Sequence, residues 1–135
     1  MELHRGRLFD HVHLRVRDLE ASKRFYRAAA ESLGIPVGAE GDGFFWIDEL
    51  FVSDDAAPGG PFHMAFQAPD REAVERFHAA VLAAGGRDNG GPGERDYHPG
   101  YYAAYALDPD GNNVEAVHHG PAERSAPSVV LRTPE

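Results

Sequence analysis

Two histidines that hold the same place in two copies of one segment are the first sign of chemistry in this chain. With an offset of 52 residues, the stretch from His11 to Gly34 lies over the stretch from His63 to Gly86 without a gap. The identities are His11/His63, Asp18/Asp70, Glu20/Glu72, Ala21/Ala73, Arg24/Arg76, Phe25/Phe77, Ala28/Ala80 and Gly34/Gly86, eight in 24 positions. Each histidine opens a copy inside a strand-like run, so a duplicated fold carries the two imidazoles to equivalent places about a pseudo-twofold axis. Imidazole nitrogen ligates divalent metals, here Fe, Mn, Ni or Zn. Glu115, in Asn113-Val114-Glu115-Ala116-Val117, is a carboxylate among small and apolar neighbours, where an unpaired charge is costly and a cation is wanted. Two histidines and a carboxylate leave coordination positions open, an arrangement that serves ferrous oxygenases and Lewis-acid enzymes alike. His13 is the rival to His11, but its counterpart at the repeat offset is Ala65, so it is assigned to the pocket.

Strands and helices must present these groups. From Leu8 to Val16 the residues alternate: Leu8, Asp10, Val12, Leu14 and Val16 are expected to face a core, and Phe9, His11, His13 and Arg15 the other side. Asp18 opens a helix over Leu19 to Leu33, and Gly34 stops it. In the second copy Phe62, Met64, Phe66 and Ala68 form the expected buried face. Pro69-Asp70 opens a helix with the stripe Val74, Phe77, Val81 and Leu82, closed by Gly85-Gly86. Short strands are expected over Ile35–Ala39, Phe44–Ile47, Leu50–Val52, Tyr101–Leu107 and Asn113–His118, with Asp108-Pro109-Asp110-Gly111-Asn112 as the turn between the last two. Asp54–Gly60 and Asn89–Gly100 read as glycine- and proline-rich loops, and Ser128–Leu131 as a short strand in the tail.

The loop before the penultimate strand supplies the acid and base candidates Tyr97 and His98, with Tyr102 beside it. His13, Arg15, Phe45, Trp46, Tyr101 and Asn113 are the expected pocket lining. Arg15, Arg17 or Arg95 can each serve a substrate carboxylate or be solvated.

Composition sets the outer bounds. The chain has 135 residues, 42% hydrophobic and 26% charged, as in a globular domain, and no apolar run reaches the ~18 residues that cross a bilayer. A net charge of −9 opposes nucleic acid and anionic membranes, leaving a small molecule as the expected ligand. With no cysteine, disulfides, thiol catalysis and thiolate ligation are excluded. Met1-Glu2-Leu3-His4-Arg5 leads into no signal-peptide core, and a cytoplasmic location is expected.

The run from Asp10-His11-Val12-His13 through Phe25-Tyr26, with His63-Met64-Ala65-Phe66 and Asp108-Pro109-Asp110-Gly111-Asn112-Asn113-Val114-Glu115, resembles the glyoxalase/bleomycin-resistance/extradiol-dioxygenase superfamily, also called vicinal oxygen chelate. The resemblance spans Leu8 to His119. It implies an α+β fold of two tandem βαβββ modules forming a curled mixed sheet around a cleft, in one domain. Module one covers about 8–53, a linker 54–60, module two about 61–119 and a tail 120–135. It implies metal ligands on the first and last strands of the modules, which carry over to His11, His63 and Glu115, and a homodimer. The fourth family position falls near Trp46, between Phe45 and Ile47, none of which ligates, so a three-ligand site is expected. The expected function is a divalent-metal lyase, isomerase or dioxygenase acting on a small oxygenated molecule. A metal-free protein that binds drug-like compounds is the alternative, and a partner-binding domain a third reading.

Overall fold

The two helices of the protein start and stop on the same chemistry. In the computed structural model, which describes residues 2–5, 9–121 and 129–132, α1 spans Leu19–Ser32 and α2 Arg71–Ala83. Asp18 and Asp70 cap them, each carboxylate accepting the backbone N–H three residues on, from Ala21 at 3.1 Å and Ala73 at 2.7 Å. Each helix ends with a paired closure. Ile35 donates to Ala30 O at 2.8 Å and Gly34 to Glu31 O at 3.0 Å, while Gly86 donates to Val81 O at 2.8 Å and Gly85 to Leu82 O at 3.3 Å. Gly34 (φ +82°) and Gly85 (φ +100°) take the left-handed position. The structural counterpart of Gly34 is therefore Gly85, and the ungapped Gly34/Gly86 match slips by one because α2 has 13 residues against 14 in α1. Gly86 is glycine for another reason. A Cβ there would stand 2.7 Å from the Phe25 ring and 2.8 Å from the Val81 carbonyl, so its bareness lets the modules close on one another.

The strands are β1 (Glu2–Arg5), β2 (Val12–Arg15), β3 (Glu40–Gly41), β4 (Phe44–Ile47), β5 (Leu50–Ser53), β6 (His63–Gln67), β7 (Arg87–Glu94), β8 (Tyr102–Leu107), β9 (Asn113–His118) and β10 (Val129–Arg132). They form two four-stranded mixed sheets, ordered β2-β5-β4-β3 and β6-β9-β8-β7, and an antiparallel pair β1-β10. In each four-stranded sheet the first pair is parallel and the others antiparallel. The expected βαβββ module is thus built twice, on an α+β plan, and each sheet remains open.

Several expectations change in detail. Ile35–Ala39 forms no strand, and the first module has only the two-residue β3 before β4. Part of the expected loop Asn89–Gly100 is strand: β7 runs along the sheet edge with register shifts at Asp88/Gly90 and Gly90/Gly93. An edge position and its bulges are what let a strand carry Gly90, Gly91, Pro92 and Gly93. Leu14 and Val16 enter the core as expected, but Val12 is exposed and Leu8 lies outside the described residues. Phe62 is exposed, and Met64 and Phe66 are half-buried. In the tail Val129–Arg132 pairs with β1, Ser128 lying outside the described residues.

Phe25, Tyr26, Ala29 and Ala30 of α1 and Val74, Phe77 and Val81 of α2 fill a common core, and the two helices pack on each other. The turn Asp108–Asn112 does more than join β8 to β9. Tyr26 OH donates to buried Asp108 Oδ2 at 2.5 Å, and Asn112 Nδ2 donates to the same oxygen at 2.9 Å. Asp108 Oδ1 accepts from the backbone N–H groups of Asp110 (2.9 Å) and Asn112 (2.8 Å), and Asn112 Oδ1 accepts from Phe62 N–H at 2.8 Å. A helix of module one is thereby latched to two strands of module two.

Burial first, and then the Asp108 charge, push the Tyr26 phenol well above its ordinary pKa. Tyr26→Phe should cost about 1–3 kcal/mol in urea unfolding at neutral pH, because Asp108 loses a buried donor. A folded-state pKa above the unfolded value of about 10 gives stability that is complete below that pH and lost as pH rises through the folded value. The wild type should therefore weaken more steeply above about pH 10 than Tyr26→Phe, the difference in urea midpoints narrowing with pH.

Candidate metal and ligand site

Alternation along the second sheet decides which side chains share a face. Tyr102, Ala104, Ala106, Val114 and Ala116 turn to the core beneath α2. Their neighbours Tyr101, Tyr105, His63, Asn113 and Glu115 turn the other way. The register sets His63 beside Asn113, and Glu115 between Ala65 and Tyr105. Glu115 is 2% exposed. Its Oε1 accepts from His63 Nε2 at 2.9 Å and its Oε2 from Tyr101 OH. Neither partner is a permanent cation. Burial, then the hydrogen bond to Glu115, push the Tyr101 phenol upward; burial, then the charge of Glu115, do the same at Tyr105. Asn113 Nδ2 donates to His63 Nδ1 at 2.9 Å, and Asn89 Nδ2 to Asn113 Oδ1 at 3.1 Å.

The segment before β8 folds against this face. Arg95 lies 5.2 Å over the Tyr105 ring, and Tyr97, though largely exposed, sets its ring edge-on to Tyr101 at 4.8 Å. His98 Nδ1 donates to Pro99 O at 2.9 Å, so its Nε2 accepts from His119 Nδ1 at 2.8 Å. Both imidazoles stand edge-on to Tyr101. Tyr102 is elsewhere: its hydroxyl donates to Glu75 on α2 at 2.9 Å and Arg71 covers its ring at 4.5 Å. One step along the strand has turned it to the helix side, away from Glu115.

On the first sheet His13 and Arg15 share the face opposite α1 with Trp46 and Phe51. The row His13, Phe51, Trp46 crosses three strands with ring centroids 4.6 Å apart at each step, and Phe44 adds a fourth ring 5.8 Å from Phe51. His13 Nε2 meets Ser53 Oγ at 2.7 Å, and Arg15 Nε donates to Asp55 at 3.0 Å. The Ser53 hydroxyl, and after it Arg15, hold the Asp55 carboxyl below its ordinary range. His11 pairs with Asp10 at 2.8 Å and stands edge-on to Trp46. Phe45 does not line this face; it is fully buried under α1 because β4 alternates.

The two registers also correct one repeat equivalence. Ala65 lies beside Glu115, and its repeat counterpart His13 lies beside Phe51. Phe51, rather than Trp46, therefore occupies the place of Glu115 in module one, and Trp46 corresponds to Tyr105. Phe51 cannot ligate either.

His63 and Glu115 are brought together; His11 lies on the other sheet. Among the described residues no group of three or more His, Asp or Glu side chains is gathered to hold a metal. As a pair, His63 and Glu115 suit a divalent cation: a buried carboxylate with no lysine or arginine partner among the described residues touches an imidazole nitrogen, a nitrogen and oxygen donor set of the right hardness. Tyr105, His119, Asn89 and Phe51 belong to the two faces and were not singled out from the sequence. Tyr105 was within reach of it, since a strand paired with that of Glu115 must place one residue of Tyr101–Leu107 beside the carboxylate.

Comparison with known proteins agrees with this architecture. The family model described as Glyoxalase/Bleomycin resistance protein/Dioxygenase superfamily matches residues 8–116. A glyoxalase/bleomycin resistance protein from Albidiferax ferrireducens T118 is 34% identical, with TM-score 0.73, over 82% of this chain and 98% of that one. A glyoxalase/bleomycin resistance protein/dioxygenase family enzyme from Burkholderia phytofirmans PsJN shares the fold at 22% identity and TM-score 0.64, covering 82% and 97% of the two chains. A glyoxalase-related enzyme from Fulvimarina pelagi does so at 21% identity and TM-score 0.60, covering 89% and 99%. No curated protein matches the chain.

Proposed function

Since the chain belongs to the glyoxalase/bleomycin resistance/dioxygenase superfamily, we propose that it is a divalent-metal enzyme of the vicinal oxygen chelate type, a lyase, isomerase or dioxygenase acting on a small oxygenated molecule. The observation that carries this reading is the buried Glu115 carboxylate, which touches His63 and, among the described residues, has no ion pair with lysine or arginine. The proposed ligands are His63, Glu115 and His11, with Fe, Mn, Ni or Zn as the metal. When bound, such a cation supplies Lewis-acid neutralisation of charge on a substrate oxygen. Tyr101 holds a proton at Glu115 Oε2, and His98 and His119 hold a second proton between them beside the Tyr101 ring. A cytoplasmic location goes with the absence of cysteine.

His11 belongs to a different sheet, so we further propose that the centre is completed in a homodimer: the His11 face of one copy closes over the His63 and Glu115 face of the other. The packing of α1 on α2 supports this, because it joins the modules of one chain through their helices rather than through their sheets. Mixed refolding tests it. His11→Ala and Glu115→Ala proteins should each bind little zinc, and an equimolar mixture refolded together should recover about one site per mixed dimer. No recovery, with each single variant still folded and dimeric, sinks the shared centre.

The row His13, Phe51, Trp46 and Phe44 favours a second reading, a binding protein that stacks a flat apolar compound without turnover. Wild-type protein that takes up no Fe, Mn, Ni or Zn on reconstitution would put this reading first.

A further inference from the structure

Of the three arginines whose sequence positions suit a substrate carboxylate, two are already spoken for. Arg15 meets Asp55 and Arg17 meets Asp110, each at 3.0 Å. Arg95 has no carboxylate partner among the described residues, in a chain with 22 acidic side chains against 13 lysines and arginines. Its guanidinium donates to main-chain carbonyls instead, from Nη1 to Glu94 O at 3.2 Å and from Nη2 to Gly91 O at 2.7 Å, and lies half-buried over the Tyr105 ring. Two of its five N–H groups are used in this way, and three remain. The glycines of β7 make room for it. A Cβ at Gly93 would stand 2.9 Å from Arg95 Nη1, and one at Gly90 would stand 3.0 Å from the Tyr105 ring and 3.4 Å from Arg95 Nη2. The main chain is tied down as well, Arg95 N–H donating to Tyr101 O at 2.9 Å. Gly90 is the register partner of Tyr105, and Tyr105 that of Glu115, so this cation stands on the Glu115 face, two strands from the carboxylate, roughly 10 Å away. A fixed guanidinium with donors unspent is matched by an oxyanion.

We propose that Arg95, seated on the bare backbone of β7, is an anion anchor, and that the small oxygenated molecule taken by this site also carries a carboxylate or phosphate, which the guanidinium holds. The substrate class rests on the functional reading given above; the anion site itself is a property of the metal-free protein. Gly90 and Gly93 then serve recognition as much as folding, since they let the guanidinium be placed before the ligand arrives and so lower the cost of ordering it.

The test is an NMR titration of metal-free protein at low ionic strength with inorganic phosphate, with benzoate and with the uncharged analogue benzamide. The Arg95 Nε–H signal, assigned by its loss in Arg95→Gln, reports the guanidinium, and the Tyr105 backbone amide reads affinity in every variant. Phosphate or benzoate should shift the Arg95 signal to saturation, the tighter of the two naming the group, and benzamide should leave it in place. Arg95→Gln should weaken the preferred anion by at least about 10-fold. Gly93→Ala keeps the charge but displaces the tip of a flexible side chain, so it should fold and lose about 3–10-fold. Arg24→Gln, the same change of charge on the exposed side of α1, should stay within about 2-fold of wild type. Equal affinities in Arg95→Gln and Arg24→Gln overturn the proposal, as does a wild type that binds neither anion or binds benzamide as well as benzoate. If anions bind through Arg95 and no form of the protein takes up zinc, the anchor stands and the metal reading fails; if zinc binds and anion affinity ignores Arg95, the reverse holds.

Discussion

Asp108→Ala should destabilise the protein by about 3–5 kcal/mol, a large part of the roughly 5–15 kcal/mol that a domain of this size has. Four donors converge on that carboxylate: the Tyr26 hydroxyl, two backbone N–H groups and the Asn112 amide. Alanine leaves all of them facing one another in a place that is 1% exposed. Water entering the vacated space would satisfy some, which holds the cost below the sum of four lost bonds. The damage should reach both modules, because Tyr26 belongs to α1 while Asn112 holds Phe62 at the start of β6. Asp108→Asn, which keeps the shape and one acceptor, should lie about halfway. Urea unfolding at neutral pH reads both variants; a loss below about 1 kcal/mol for alanine would mean that the turn is not the latch between modules.

The second large effect concerns metal. Glu115→Ala should weaken zinc binding by more than about 100-fold, since even partners one bond removed from a ligand change affinity about 10–100-fold. Glu115→Gln separates charge from shape. It keeps an acceptor for Tyr101 or His63 and should fold as wild type does, while losing affinity nearly as far as alanine. Calorimetry with zinc, alongside circular dichroism to confirm the fold, decides it. A dissociation constant within about 10-fold of wild type in the glutamine variant would remove Glu115 from the ligand set.

Much of this architecture was legible in the residues because the module repeats. Asp18 and Asp70 mark two helix starts, glycines mark their ends, and His11, one residue before β2, matches His63 at the start of β6. What was not legible turned on single-residue steps. Tyr101 and Tyr102 are adjacent, and only the register of β8 against β9 decides that the first reaches Glu115 and the second Glu75. Phe45 and Trp46 divide between core and open face in the same way. The first module hid its equivalences further by a short β3 and a tight β4–β5 turn at Asp48, which has a positive φ of 46°, so that Phe51 rather than Trp46 answers to Glu115. β7 was hidden by composition, its glycines and Pro92 being tolerated at an edge. That His11 lies apart from His63 and Glu115 follows from how the modules pack, and no local pattern encodes it.

β9 is hydrogen-bonded on both sides, to β6 and β8, and its inner residues Val114 and Ala116 are sealed beneath α2. Its backbone can exchange protons with solvent only when the module opens as a unit, whereas β3 and β7, each bonded on one side, can breathe without it. Glu115 thus rides on an interior strand of its module, and the rim of the site can loosen to admit a ligand while the carboxylate beneath it keeps its place.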